Sequence, residues 1–171
     1  MRASGAIRAD DTTPEAIKAR IRKGQHGQEI VLVWGDESGK GEDISLTQGD
    51  IRQLQLAKSA IHSGLAMLMS EADVDGENLS ELLVCGGFGN YIDLASAVRI
   101  RLLPEVPVEK ITYAGNAALM GAQMALLSDD EIDLAEELIE KIEHVALAAR
   151  PDFQDFFIDG MNFGADAAAL T

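Results

Sequence analysis

The sequence predicts an α/β domain in which a mixed sheet is flanked by helices. Three observations lead to this. Short apolar runs at 30–34 and 82–85 end in glycine-rich turns, as buried strands do. Longer segments that begin at Thr47 and Ser128 carry apolar residues at helical spacing behind capping signals. The elements run strand, strand, helix, strand, helix, strand, helix, helix, an order that places helices over a sheet.

Residues 1–42 read as an N-terminal arm with the first hairpin strand, and residues 43–171 as one lobe that incorporates the strand at 30–34. In the arm, Ala16, Ile17 and Ile21 line one side of a short helix after Pro14, and residues 24–27 are a loop. An arm without a clear first element suggests that something precedes this chain. The strand at 30–34 is β-branched and continuous, and residues 43–47 pair back on it after a glycine-rich turn. Trp34 reads as a core or strand-end anchor, not a binding platform.

Thr47 with Asp50 three residues on forms a capping box, which starts a helix ending near Met69 or Ser70. Ile51, Leu54, Ile61, Leu65 and Leu68 define its expected core face, while Gln55, Lys58 and His62 share another. On spacing alone Lys58 is a solvated helix lysine. An acidic loop at 73–78 leads to the strand at 81–85.

That strand runs into Gly86, Gly87, Phe88, Gly89 and Asn90, and Asp93 then caps a short helix over 94–102. Such a turn brings backbone N–H groups close to a phosphate or nucleoside, or it is a tight strand-to-helix connection with no ligand. It is neither a dinucleotide fingerprint, because Ile92 stands at the third glycine position, nor a P-loop, because no Lys-Ser/Thr pair follows Gly89. Further strands are expected at 108–113 and 144–149, and helices at 117–127, from Ser128 with Ile132, Ala135, Leu138, Ile139 and Ile142 inward, and after Pro151. Four of the five phenylalanines fall between Phe153 and Phe163, and this tail is expected to fold back as core and to fray from Gly164.

Composition narrows the function classes. A net charge of −15 opposes nonspecific nucleic-acid binding. No apolar run reaches the roughly 20 residues of a membrane helix, and a signal-peptide core is lacking at the start. One cysteine allows no internal disulfide and points to a reducing, cytoplasmic setting, with Cys85 packed as a small buried hydrophobe. The three histidines are scattered and form no metal-ligand set.

Several motifs together resemble the C-terminal part of the reductive activators of corrinoid proteins. They are Thr47-Gln48-x-Asp50-Ile51, Gln55-Leu56-Ala57-Lys58-x-Ala60, the run Gly86 through Asp93, Leu102-Leu103-Pro104, Gly115-Asn116-Ala117-Ala118-x-x-Gly121-Ala122, and Phe153 with Phe156-Phe157. Agreement runs in order from about residue 43 to 163. The resemblance implies an RNase H-like C-terminal lobe of the acetate/sugar kinase, Hsp70 and actin superfamily. It further implies that Gly86, Gly87, Phe88, Gly89 and Asn90 lie against adenosine, with Lys58 and Gln55 raised to ligand contacts. The helix from Gly115 to Ala122 resembles the connecting helix at the hinge between lobes.

The implied cofactor is Mg-ATP, shared with an N-terminal ATPase half outside this sequence, and the implied reaction is ATP-dependent reduction of a cob(II)alamin protein. Electrons would enter through a 2Fe–2S domain that is separate, since one cysteine cannot supply four ligands. Implied partners are a corrinoid protein or corrinoid-dependent methyltransferase, the ferredoxin-like and N-terminal ATPase halves, and a second copy of the chain as a further option. No catalytic acid is assignable here, so the chain alone is expected to be inactive. Two other readings stand beside this one: a non-catalytic interaction module that docks through its acidic surface or Phe-rich tail, and part of a small-molecule kinase of the same superfamily.

Overall fold

The computed structural model describes residues 4–87 and 91–164. Its first sheet is antiparallel, in the order β1 (Ile21–Gly24), β2 (Gly27–Val33) and β3 (Ile44–Thr47), preceded by one helical turn, α1 (Glu15–Lys18). β1 takes in Ile21, which was expected on the helix after Pro14, and Gly24 from the expected loop at 24–27. Its two central residues, Arg22 and Lys23, hide it from a hydrophobicity reading, but Arg22 pairs with Glu29 at 2.7 Å and Asp43 at 2.6 Å and so laces all three strands. Trp34 sits at the end of β2 with the Arg20 guanidinium 5.9 Å from its ring centroid.

β3 runs directly into α2 (Gln48–Glu71), the long helix that packs against β2, β3 and the last described helix of the chain. The capping box is formed: the Thr47 hydroxyl accepts from the Asp50 N–H at 3.1 Å, and the Asp50 carboxylate accepts from the Thr47 N–H at 2.8 Å. The second sheet is a parallel pair, β4 (Leu82–Cys85) and β5 (Ile111–Gly115), joined through α3 (Leu94–Arg99) and a short 3-10 turn at 108–110. α4 (Ala117–Leu127) and α5 (Asp129–Ile139) pack on each other, and α6 (Phe153–Gly160) lies along α2. The apolar core under the first sheet joins Ile7, Ile51 and Phe163, with Ile21, Ile30, Leu46 and Ile100 around it. Phe163 thus carries the tail into the core, as its composition suggests.

Several expectations are corrected. On α2 only Ile51 of the expected core face is buried; Leu54, Ile61 and Leu68 are 41%, 51% and 45% exposed. The buried stripe is instead Ile51, Gln55, Lys58, Ser59, Ser63 and Met67, because α6 and the residues after it cover that side. Cys85 is exposed, not packed as a buried hydrophobe, since β4 has a strand neighbour on one side alone among the described residues. Residues 144–149 form no strand; a 3-10 turn at 147–149 takes their place, with no neighbouring strand to pair. Ser128 makes no side-chain cap, and Ile132, Leu138, Ile139 and Ile142 are exposed instead of inward.

Candidate functional site

Two glycine turns stand side by side where the parallel strands end. Gly86 follows β4 with φ +100°, and Gly115 closes β5 with φ +65°, conformations that a side chain resists. The Gly86 N–H donates to the Gly115 carbonyl at 2.7 Å, so the two turns are one unit. The register shifts between Val84, opposite Tyr113, and Cys85, opposite Gly115, so that Ala114 is skipped and the chain is re-aimed as it leaves the sheet. Crevices outside the carboxyl ends of parallel strands are where open α/β sheets hold ligands. Among the described residues, a Cβ built at Gly86 or Gly87 would meet nothing within 4 Å, so the backbone here faces open space.

The exit of the turn is also fixed. The Tyr113 hydroxyl on β5 donates to the Ile92 carbonyl, and the Asp93 carboxylate caps α3 by accepting from the Ser96 N–H at 2.8 Å. Hydrogen bonding from the Ser96 side chain, with that backbone bond beside it, holds the Asp93 carboxyl below its ordinary range. On the neighbouring turn the Asn116 side chain accepts from the Leu119 N–H at 3.1 Å and starts α4. Tyr113 was not singled out from the sequence. Its signal is a tyrosine on the strand directly before a second Gly-Asn turn. Phe88, Gly89 and Asn90 lie outside the described residues.

Gln55 and Lys58 come together on the buried stripe of α2, and both are engaged by the closing segment. Gln55 Nε2 donates to the carbonyls of Met161 at 2.8 Å and Ser4 at 3.2 Å. The Lys58 side chain is fully buried and donates to the carbonyls of Gly160 and Asn162, the latter at 2.7 Å, with its ammonium 4.9 Å from the Phe163 ring centroid. Ser59 donates to the Phe157 carbonyl. Of the last carbonyls of α6, those of Phe157 and Gly160 are thereby satisfied from α2, while that of Ile158 accepts from the Met161 N–H at 3.2 Å and that of Asp159 from the Asn162 N–H at 3.1 Å. Burial, with Arg101 adding to it, pushes Lys58 down to about 8, and burial likewise lowers His62.

Arg101, held at φ +59°, completes this cluster. It donates to the Asp159 carboxylate at 2.5 Å and lies 3.3 Å from His62 Nε2. The closing segment reaches α3 as well, since a Cβ on Gly164 would lie 3.0 Å from the Arg99 carbonyl. α2, the closing segment and α3 therefore form a continuous packed path that ends at the glycine turn. A separate cleft of about 460 Å³, lined by His62, Met69, Val74, Arg101 and Pro104 among others, borders the loop that leads into β4. It lies at the opposite end of that strand from the glycine turn.

Among the described residues no helix is long and apolar enough to cross a membrane.

Comparison with known proteins agrees with this architecture. Residues 1–170 match a family model described as the C-terminal domain of RACo, the ASKHA domain. The chain is 34% identical over 159 residues to the corrinoid activation enzyme RamQ of Eubacterium limosum, which covers 92% of this chain and 27% of that protein. It is 26% identical over 132 residues to the Co(II) methylated amine-specific corrinoid protein reductase of Methanosarcina barkeri, covering 76% of this chain and 24% of that one. A solved structure titled reductive activator for corrinoid, iron-sulfur protein superposes with a TM-score of 0.77 at 35% identity, over 95% of this chain and 25% of that structure. The chain thus spans about a quarter of the length of these relatives. With its glycine turns, its long capped helix and its closing segment, this chain belongs to the family of RACo C-terminal ASKHA domains.

Proposed function

We propose that this domain supplies the adenosine half of an ATP site in a reductive activator of corrinoid proteins. The observation that carries the reading is the paired turn: Gly86 and Gly87 present bare backbone to open space at the carboxyl end of β4, locked to Gly115. Adenosine lies along the run Gly86, Gly87, Phe88, Gly89 and Asn90, and bound Mg-ATP supplies the phosphate chemistry together with the N-terminal half of the protein. Gln55 and Lys58 support this site from behind. They fix the closing segment, which in turn fixes the end of α3, the helix that leaves the turn.

The printed names of the relatives support the choice of reaction. One is a corrinoid activation enzyme, another a reductase of a Co(II) corrinoid protein. In this reading an electron from a 2Fe–2S domain outside this chain reduces the cobalt, and the partner is a corrinoid protein or corrinoid-dependent methyltransferase. α4 carries Leu119 and Met120 at 53% and 55% exposure, an apolar side suited to contact with the other half of the protein.

Calorimetric titration of the chain with Mg-ATP and Mg-ADP tests the proposal, with Gly87→Val alongside. Binding that the variant abolishes supports it. Absence of heat with millimolar nucleotide, both for the chain and for the chain recombined with an N-terminal half, would overturn it.

A further inference from the structure

The loop between α2 and β4 is tied by its own side chains. The Asp75 carboxylate accepts from the N–H groups of Glu77 at 2.9 Å and Asn78 at 2.8 Å, and Asn78 Oδ1 accepts from the Asp75 N–H at 2.9 Å. This winding turns three carbonyls toward one point, and the Lys110 ammonium occupies it. Its Nζ lies 3.3 Å from the Gly76 oxygen, 3.0 Å from that of Glu77 and 2.7 Å from that of Leu79. An ammonium has three protons to donate, and three carbonyls take them. The loop carries Asp73, Asp75 and Glu77, yet the hydrogen bonds of Lys110 go to main-chain oxygens. Gly76 lets the loop close on the same segment, because a Cβ there would stand 2.7 Å from the Glu105 carbonyl.

We propose that Lys110 is a tethered cation, filling a carbonyl cage of the kind that otherwise strips and holds a bare monovalent ion. Its task is to clamp the entry of β4 to the entry of β5. Lys110 directly precedes Ile111, which pairs with Leu82, three residues after the last cage carbonyl. That register holds to Val84 opposite Tyr113, and past the bulge Cys85 stands opposite Gly115 and the Gly86 N–H bonds the Gly115 carbonyl. Lys110 is therefore a positioning residue for the paired glycine turns at the far end of the strands. Only its link to nucleotide rests on the function proposed above; the cage does not.

The test uses Lys110→Ala, which empties the cage, and Lys110→Met, which keeps the stem. Thermal midpoints are compared in potassium, ammonium and tetramethylammonium chloride at equal ionic strength. Loss of a charge-assisted cluster should lower the midpoint of Lys110→Ala by about 5 °C or more in tetramethylammonium. Potassium or ammonium should restore at least half of it, and the Gly86 amide should exchange about tenfold faster until they do. An unchanged midpoint, or equal effects of all three salts, would overturn the proposal.

If neither variant folds, the wild-type chain decides. The Lys110 amine protons should exchange far more slowly than those of Lys18, and equal rates would overturn it. Salt rescue with no change in Mg-ATP affinity would uphold the cage and count against the nucleotide reading of the turn.

Discussion

Lys58, near the middle of α2, donates to the main-chain carbonyl of Asn162 at 2.7 Å, joining positions 104 residues apart. With the bond to the Gly160 carbonyl and the Phe163 ring beside it, this fully buried lysine is the clasp that closes the C-terminal segment on the domain.

Removing the clasp leaves two carbonyls without donors in a dry place. Lys58→Met should therefore cost roughly 3 kcal/mol of stability at alkaline pH, read as a lower urea midpoint with unchanged slope. A loss below about 0.5 kcal/mol would mean that the segment satisfies itself another way.

The pH dependence of that cost has a defined sign. Lys58 falls from 10.5 to about 8 in the folded chain, chiefly through burial. Between those values the unfolded chain holds the proton and the folded chain does not, so this group adds stability as pH rises through about 8, levelling off above 10.5. The neutral amine still carries two N–H donors for its two carbonyls. Wild type minus Lys58→Met, measured by denaturation between neutral pH and pH 10.5, should thus grow with pH. A difference that shrinks would contradict the buried placement.

Gly86→Ala forces a side chain into φ +100°. With nothing within 4 Å of the new Cβ, the penalty is one of backbone strain alone, about 1–3 kcal/mol, and the Gly86–Gly115 hydrogen bond should loosen. Amide exchange at Gly86 together with a thermal melt checks both effects.

Thr47→Ala removes one half of the capping box and should cost about 1–2 kcal/mol, with fraying confined to the first turn of α2. Helical amide exchange at residues 50–52 reports it.

Features written in neighbouring residues were legible in the sequence. The Thr47 cap and the Asp93 cap each depend on a partner three positions on, and each takes the expected form. The burial of Gln55 and Lys58 was not legible, because their partners are backbone oxygens about a hundred residues away and carry no side-chain signal. Leu54, Ile61 and Leu68 followed the apolar period, but among the described residues they stay exposed, because α6 packs on another side of α2. β1 was hidden by Arg22 and Lys23, of which Arg22 is paired with Glu29 and Asp43, and the expected strand at 144–149 had propensity without a partner strand among the described residues. The paired glycine turns were half legible: each read as a turn, but their hydrogen bond required the parallel register.

The central claim is that adenosine sits on the paired turns, and the most direct measurement is a backbone amide NMR titration of this chain with Mg-ADP. The account predicts shifts centred on Gly86, Gly87, Gly115 and Asn116, saturating together, with the α5 amides unmoved. Shifts centred elsewhere, or none with millimolar Mg-ADP even after recombination with an N-terminal half, would contradict it.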